Sequence, residues 1–225
     1  MTFHSLNAID GADGERRHQE AGKPIIPSLL IDGQPNSFQH PAQIAALLGL
    51  EEQRTQPSTA VAWDIHDLAA RWLDVIRDVP FEAMLVPTPS RGRDLRNLTV
   101  NVFRPIGYLP DAWRLAEFNW YTGEADLQQE ALLRDRAAVV RFAEGIAVSY
   151  SSFLAEEGDR LVEHDPDLRS NRGEMTFSTL LVAQRFHAAF HYRQMLDHFA
   201  REGVAHKDPL PEALVKAIGL PANLY

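Results

Sequence analysis

The chain contains no cysteine among its 225 residues. That excludes disulfides, thiolate metal sites, iron–sulfur clusters and any cysteine nucleophile supplied by the chain itself. Basic residues are also in deficit: 22 Lys and Arg stand against 31 Asp and Glu, a formal charge of −9. An acidic balance of that size disfavours non-specific binding to phosphate backbones or anionic membranes. No apolar run approaches the roughly 18 residues of a membrane span, and the N-terminal stretch lacks the basic-then-apolar pattern of a signal peptide. A cytoplasmic location is therefore expected, with neither nucleic acid nor membrane as partner. A phosphate-binding loop is missing too, since Arg91-Gly92-Arg93 has neither P-loop nor dinucleotide-binding spacing. Ser149, Ser151 and Ser152 lack the strand–turn–helix frame of a nucleophile elbow.

What remains is an ordinary globular composition, 45% hydrophobic and 24% charged, able to bury a core. The sequence changes character near residue 57. Residues 1–57 carry short β-like runs at Phe3–Ile9 and Pro24–Ile31, the second closed by the turn signal Asp32-Gly33. Residues 10–22 read as loop plus a short helix, and a compact helix signal runs from Ala42 to Leu48 before Gly49. Residues 51–58 are polar and unperiodic, and read as a linker.

Residues 58–203 carry four helical segments. The first covers about 59–77, with Trp63, Leu68, Trp72, Val75 and Ile76 at helical spacing. The second starts near Arg93 and passes through Leu95, Leu98, Val102 and Phe103, with a kink expected at Pro105 because proline removes a backbone donor. The third is expected as one helix over about 125–156. Residues 158–173 read as a long polar loop, and the fourth helix as starting at Met175-Thr176 and ending near Gly203. Four such amphipathic segments can hide their apolar stripes only against one another, which predicts an antiparallel four-helix bundle and a mainly α fold. Residues 204–225 read as a tail holding one short helix.

The stretch richest in chemistry is Gln184 to Gln194. His187 and His191 are four residues apart, so on a helix their imidazoles share one face and can present two nitrogens to one ion at about 2.0–2.1 Å. Ala188 stands where the metalloprotease pattern H-E-x-x-H has its glutamate, which disfavours peptidase chemistry. Ordinary hydrogen-bonded helix histidines would give the same spacing. His198, on nearly the same face, reads as a surface or core-edge residue rather than a third ligand. Arg91, Arg93, Arg96 and Arg104 gather basic charge around the second helix and either suit a substrate carboxylate through bidentate pairing or are solvated arginines answering nearby Asp94 and Glu117. Arg104, three past Asn101, is the first choice among them. His66 lies three from Trp63, and Trp63, Trp72, Trp113 and Trp120 read as core or interface residues.

The helix Met175–His198 resembles the last bundle helix of DinB/YfiT-like proteins, and Arg93–Arg104 is similar to their second helix. In that family the His-x-x-x-His pair joins a third histidine from the second helix to bind a divalent metal. Asn101 stands where that histidine most often is, which is a departure, because an amide oxygen is a weaker ligand for zinc or nickel than imidazole. The resemblance covers about residues 58–203. It implies a DinB-like bundle with His187, His191 and Asn101 as the metal set. It implies a divalent metal, zinc first with nickel or iron as alternatives, while the charge pattern offers Arg91, Arg96 and Arg104 as contacts for cofactor or substrate. The implied activity is thiol-dependent S-transfer, or isomerisation like that of the mycothiol-dependent maleylpyruvate isomerase, on an anionic small molecule and using a low-molecular-weight thiol. Arg104 would serve catalysis by anchoring a carboxylate. A non-catalytic binding or stress protein with a degenerate metal site is the alternative that Asn101 favours. Residues 1–57 resemble the C-terminal half of a glutaredoxin or thioredoxin-like domain, with Ile26-Pro27 where that fold has its cis-proline and without the unit that carries the Cys motif. A homodimer is an expected assembly.

Overall fold

The computed structural model describes residues 12–22, 28–37, 48, 58–89, 92–120, 123–171, 173–204 and 208–220. The strand expected at Phe3–Ile9, all but Leu48 of the helix expected over Ala42–Leu48, and Ile26, Pro27 and Arg91 lie outside them. The chain divides into two compact units, Met1–Thr55 and Gln56–Tyr225.

The first unit holds a short helix α1 (Ala12–Glu20) and an antiparallel hairpin of β1 (Ser28–Ile31) and β2 (Gln34–Ser37). Ile31 pairs with Gln34, leaving only Asp32 and Gly33 in the loop, both at positive φ. A two-residue Asp-Gly loop of that kind matches the right-handed twist of the strands it joins. The Asp32-Gly33 turn thus opens a second strand directly. That strand, Gln34-Pro35-Asn36-Ser37, carries no apolar alternation and gave no signal of its own.

The second unit is mainly helical. Its elements are α2 (Ser58–Asp78), α3 (Phe81–Met84), α4 (Leu95–Gly107), α5 (Leu109–Leu115), β3 (Glu117–Phe118), α6 (Gly123–Leu132), α7 (Arg136–Glu157), α8 (Arg160–Glu163), β4 (Asp167–Ser170), β5 (Gly173–Thr176), α9 (Phe177–Arg201) and α10 (Glu212–Ile218). The four long helices form a ring in which α2 touches α7 and α9, and α4 touches the same two. Trp72, fully buried, reaches across the middle to Phe103 and Tyr192, each at 6.3 Å between ring centres. Burying an indole of that size is worth about 5 kcal/mol of transfer free energy, which draws the α2 stripe inward. Trp63, expected in the apolar stripe and as a core or interface residue, is 44% exposed, which removes the core alternative: it lies off the buried stripe of Val61, Ile65, Leu68, Trp72 and Ile76.

The bundle is not antiparallel throughout. Contacts between α2 and α7 run in opposite senses, Thr59 meeting Gly158, Ala62 meeting Tyr150 and Arg77 meeting Glu144. Contacts between α2 and α9 climb together, from Asp64–Arg185 to Trp72–Tyr192. Those two helices therefore run the same way. The expected third helix is two helices, α6 and α7, broken at residues 133–135. Asp135 caps the second by accepting the Ala138 N–H at 2.7 Å, and Leu132, expected in the buried stripe, is exposed. The expected polar loop after Gly158 contains α8 and β4, and Met175-Thr176 closes strand β5 instead of opening the helix. β4 pairs with β5 antiparallel and with β3 parallel, so a small sheet lies beside the start of α9. Thr176 then caps α9, its hydroxyl accepting the Thr179 N–H.

Among the described residues one helix, α7, is long and apolar enough by length and composition to cross a membrane, with a mean hydropathy of 1.2 over 18 residues. In this fold Val139, Ala143, Tyr150, Phe153 and Leu154 turn it into the bundle.

Candidate functional site

α9 carries apolar residues nearly all round, so it lies against neighbours on more than one side. One side meets α2: Tyr192 is fully buried against Trp72, and Arg185, 5% exposed, donates from Nη1 to Asp64 Oδ2 at 2.8 Å. The side bearing His187 meets α4. The four-residue spacing makes His187 and His191 neighbours on one face, and their rings are 4.6 Å apart and nearly perpendicular. Phe190 sits edge-on to His191 at 5.6 Å and stacks with Phe186. Those rings give the pair an apolar flank.

Asn101 comes to the pair from α4. His187 Nε2–H donates to Asn101 Oδ1 at 3.0 Å. The next residue but three is Pro105, buried inside α4, which has no N–H to return to the Asn101 carbonyl. α4 ends two residues later at Gly107, and Tyr108 leads into α5. His191 Nδ1–H donates to Gln194 Oε1 at 2.7 Å. That bond places the lone pair of a neutral His191 ring on Nε2, the form a metal ligand needs.

The arginines divide. Arg104 lies on α4 three past Asn101, but its guanidinium is engaged by Asp126 on α6. Nη2 donates to Oδ2 at 3.0 Å, Nε meets the other carboxylate oxygen, and both side chains are largely buried. Burial pushes the Asp126 carboxyl above its ordinary range, while Arg104 beside it pulls the other way. A substrate carboxylate at Arg104 would have to compete with Asp126. Arg96 donates twice to Asp94 Oδ2, at 3.0 and 2.6 Å, and lies 3.9 Å from Glu130. Asp94 is itself the cap of α4, accepting the Asn97 N–H at 2.9 Å, so Arg96 belongs to the helix start. His66 packs edge-on to Trp63 at 5.2 Å and contacts Asp67.

His198, expected at the surface or the core edge, is 2% exposed, and its Nε2 has no hydrogen-bond partner among the described residues. Gln184, Gln194, Arg185 and Asp64 were not singled out by the sequence reading as site residues. For the two glutamines a signal existed, their three-residue spacing on either side of the histidine pair. A cavity of about 360 Å³ lies elsewhere, lined from α2 by Asp64, Leu68 and Arg71 and from α10 by Leu214 and Ala217. The histidines do not line it.

Among the described residues there is no group of three or more His, Cys, Asp or Glu that could hold an ion. A divalent metal at His187 and His191 therefore depends on Asn101 for its third donor. The resulting set is two imidazole nitrogens and one amide oxygen, drawn from two packed helices. As donor chemistry it fits a borderline divalent ion with open positions, and it contributes no negative charge. No family model, no curated protein and no solved structure matches the chain.

Proposed function

We propose that the chain is a cytoplasmic, metal-dependent enzyme that uses a low-molecular-weight thiol on an anionic small molecule, by S-transfer or by isomerisation of the maleylpyruvate kind. One observation carries this reading: His187, His191 and Asn101, the three positions that the resemblance to DinB/YfiT-like proteins names, meet between α9 and α4. Two further features support it. The absence of cysteine means that any reacting sulfur arrives with cofactor or substrate. The neutral donor set leaves a divalent charge uncompensated by protein, which favours an anionic ligand.

His187 and His191 would hold the ion, and Asn101 Oδ1 would complete the protein's share. When bound, such an ion supplies Lewis acidity and lowers the pKa of a thiol or water. Gln194 keeps His191 in its ligand tautomer. Phe190, edge-on to His191, and Phe186, stacked on Phe190, give the pair an apolar flank. Arg104 is the nearest cation on the Asn101 face of α4 and anchors a carboxylate only by sharing itself with Asp126.

A second reading has its own observation. The 3.0 Å bond between His187 Nε2 and Asn101 Oδ1 engages both would-be ligand atoms with no ion between them, which favours a non-catalytic binding protein that kept the bundle. Zinc content of untagged protein, followed by thermal shifts with a panel of small thiols, separates the two. The enzyme reading expects about one zinc per chain, loss of that zinc in His187→Ala, and a thiol response only with zinc loaded. Unchanged zinc in His187→Ala removes the ligand assignment. An empty wild type with no thiol response favours the second reading.

A further inference from the structure

Two glutamines bracket the histidine pair symmetrically: Gln184 lies three residues before His187, and Gln194 three after His191. Residues three apart on a helix are surface neighbours. Gln194 is employed, accepting the Nδ1–H of His191 at 2.7 Å. Gln184 is more deeply buried, 1% exposed, yet neither its Oε1 nor its Nε2 has a hydrogen-bond partner among the described residues. An unbonded primary amide in a core costs a fold its desolvation, which an alkyl side chain of the same size avoids. Leu180 and Leu181, one turn earlier, are fully buried without such a cost. Packing alone does not call for an amide at 184.

The protons on His187 suggest what does. With Asn101 Oδ1 as acceptor, the proton of a neutral His187 ring is on Nε2. Holding an ion through Nε2 requires that proton on Nδ1 instead, and a buried Nδ1–H requires an acceptor aligned with it. Helix side chains lean toward the N-terminus, so the His187 ring lies over the turn that carries Gln184. We propose that Gln184 is the positioning residue for His187, its Oε1 accepting Nδ1–H when Nε2 exchanges Asn101 for a divalent ion. This rests on the metal reading above. It makes the two histidines equivalent, each held by a glutamine three residues away on its outer side.

The test is the zinc affinity of the full chain, measured by competition with a chromophoric chelator, for wild type, Gln184→Leu and Gln184→Glu. Gln184→Leu is expected to bind zinc roughly 10–100-fold more weakly. Its zinc-free form should melt no lower than wild type, because an unbonded amide has been replaced by an alkyl group. Gln184→Glu, a stronger acceptor, should bind zinc at least as tightly as wild type. Wild-type affinity in Gln184→Leu overturns the assignment, and so does an equal loss in both variants. If Gln184→Leu does not fold, weakened binding in Gln184→Glu overturns it alone. Failure of wild type to take up zinc overturns the metal reading and this inference together. Tight wild-type binding unaffected by Gln184→Leu overturns only the role of Gln184.

Discussion

Thr99 carries two buried hydrogen bonds on one hydroxyl. The Trp72 indole N–H donates to its Oγ1 at 3.1 Å, and the hydroxyl donates on to the Leu95 carbonyl at 2.7 Å. Thr99→Val keeps the shape but strands the indole N–H inside the bundle. It is expected to cost about 2 kcal/mol in urea denaturation, and a loss below about 0.5 kcal/mol would show that the indole finds another acceptor. At the same scale, the histidine pair was legible in the sequence because helical spacing alone sets which side chains share a face. Asn101 was legible only through its place in a family-like segment, since one asparagine in a helix carries no chemical signal. The glutamines at 184 and 194 showed only their three-residue spacing from the histidines, a weak signal because an amide is commonplace on helix surfaces until burial is known. Arg104 looked like an open cation in sequence, whereas its carboxylate partner sits 22 residues away on a helix that periodicity did not separate.

The helices themselves were read well where an apolar stripe is continuous and poorly where a cap interrupts it. α2 and α9 follow the expected segments closely, since long stripes leave little choice of face. Residues 125–156 keep an approximate helical period through the break at 133–135, so the hydrophobic pattern alone could not divide them. The cap could have done so: Asp135 stands three before Ala138, and its carboxylate accepts that N–H at 2.7 Å. Asp135→Ala should lower stability by about 1 kcal/mol, measured by chemical denaturation. Fraying should be confined to the first turn of α7 in amide exchange, and a uniform loss of protection would count against a local capping role. Strands β4 and β5 escaped notice for another reason. They are four residues each, polar on their outer faces, and held by pairing with one another and with β3 rather than by any strong local preference.

At the scale of the whole bundle, direction is set by α6. It runs back along α4, Arg104 meeting Asp126 and Asn97 meeting Glu130. That return places the start of α7 near the start of α4. The Arg104–Asp126 contact that secures it is partly buried, and it links stability to pH. Because burial raises the folded pKa of Asp126 above its unfolded value, the folded chain holds that proton more tightly. The associated stability is present in full below the unfolded value, near 3.9, and is lost as pH rises through the folded value. Asp126→Asn does not ionise. Its unfolding free energy, compared with that of wild type in urea titrations, should therefore improve in relative terms as pH rises from about 4. The reverse trend would mean that the attraction of Arg104 outweighs burial.

Composition and periodicity by themselves determined that this chain is mainly helical, that it contributes no thiol of its own, and that His187 and His191 share a helix face. These are local properties, fixed by which atoms are present and by 3.6 residues per turn. The parallel run of α2 and α9, the splitting of α6 from α7, the Asp126 partner of Arg104 and the closed bond between His187 and Asn101 were decided only in three dimensions. Each depends on which helix lies beside which. Many arrangements bury the same stripes, and only the packed interior, where an unpaired polar group is costly and most find a partner, chooses among them.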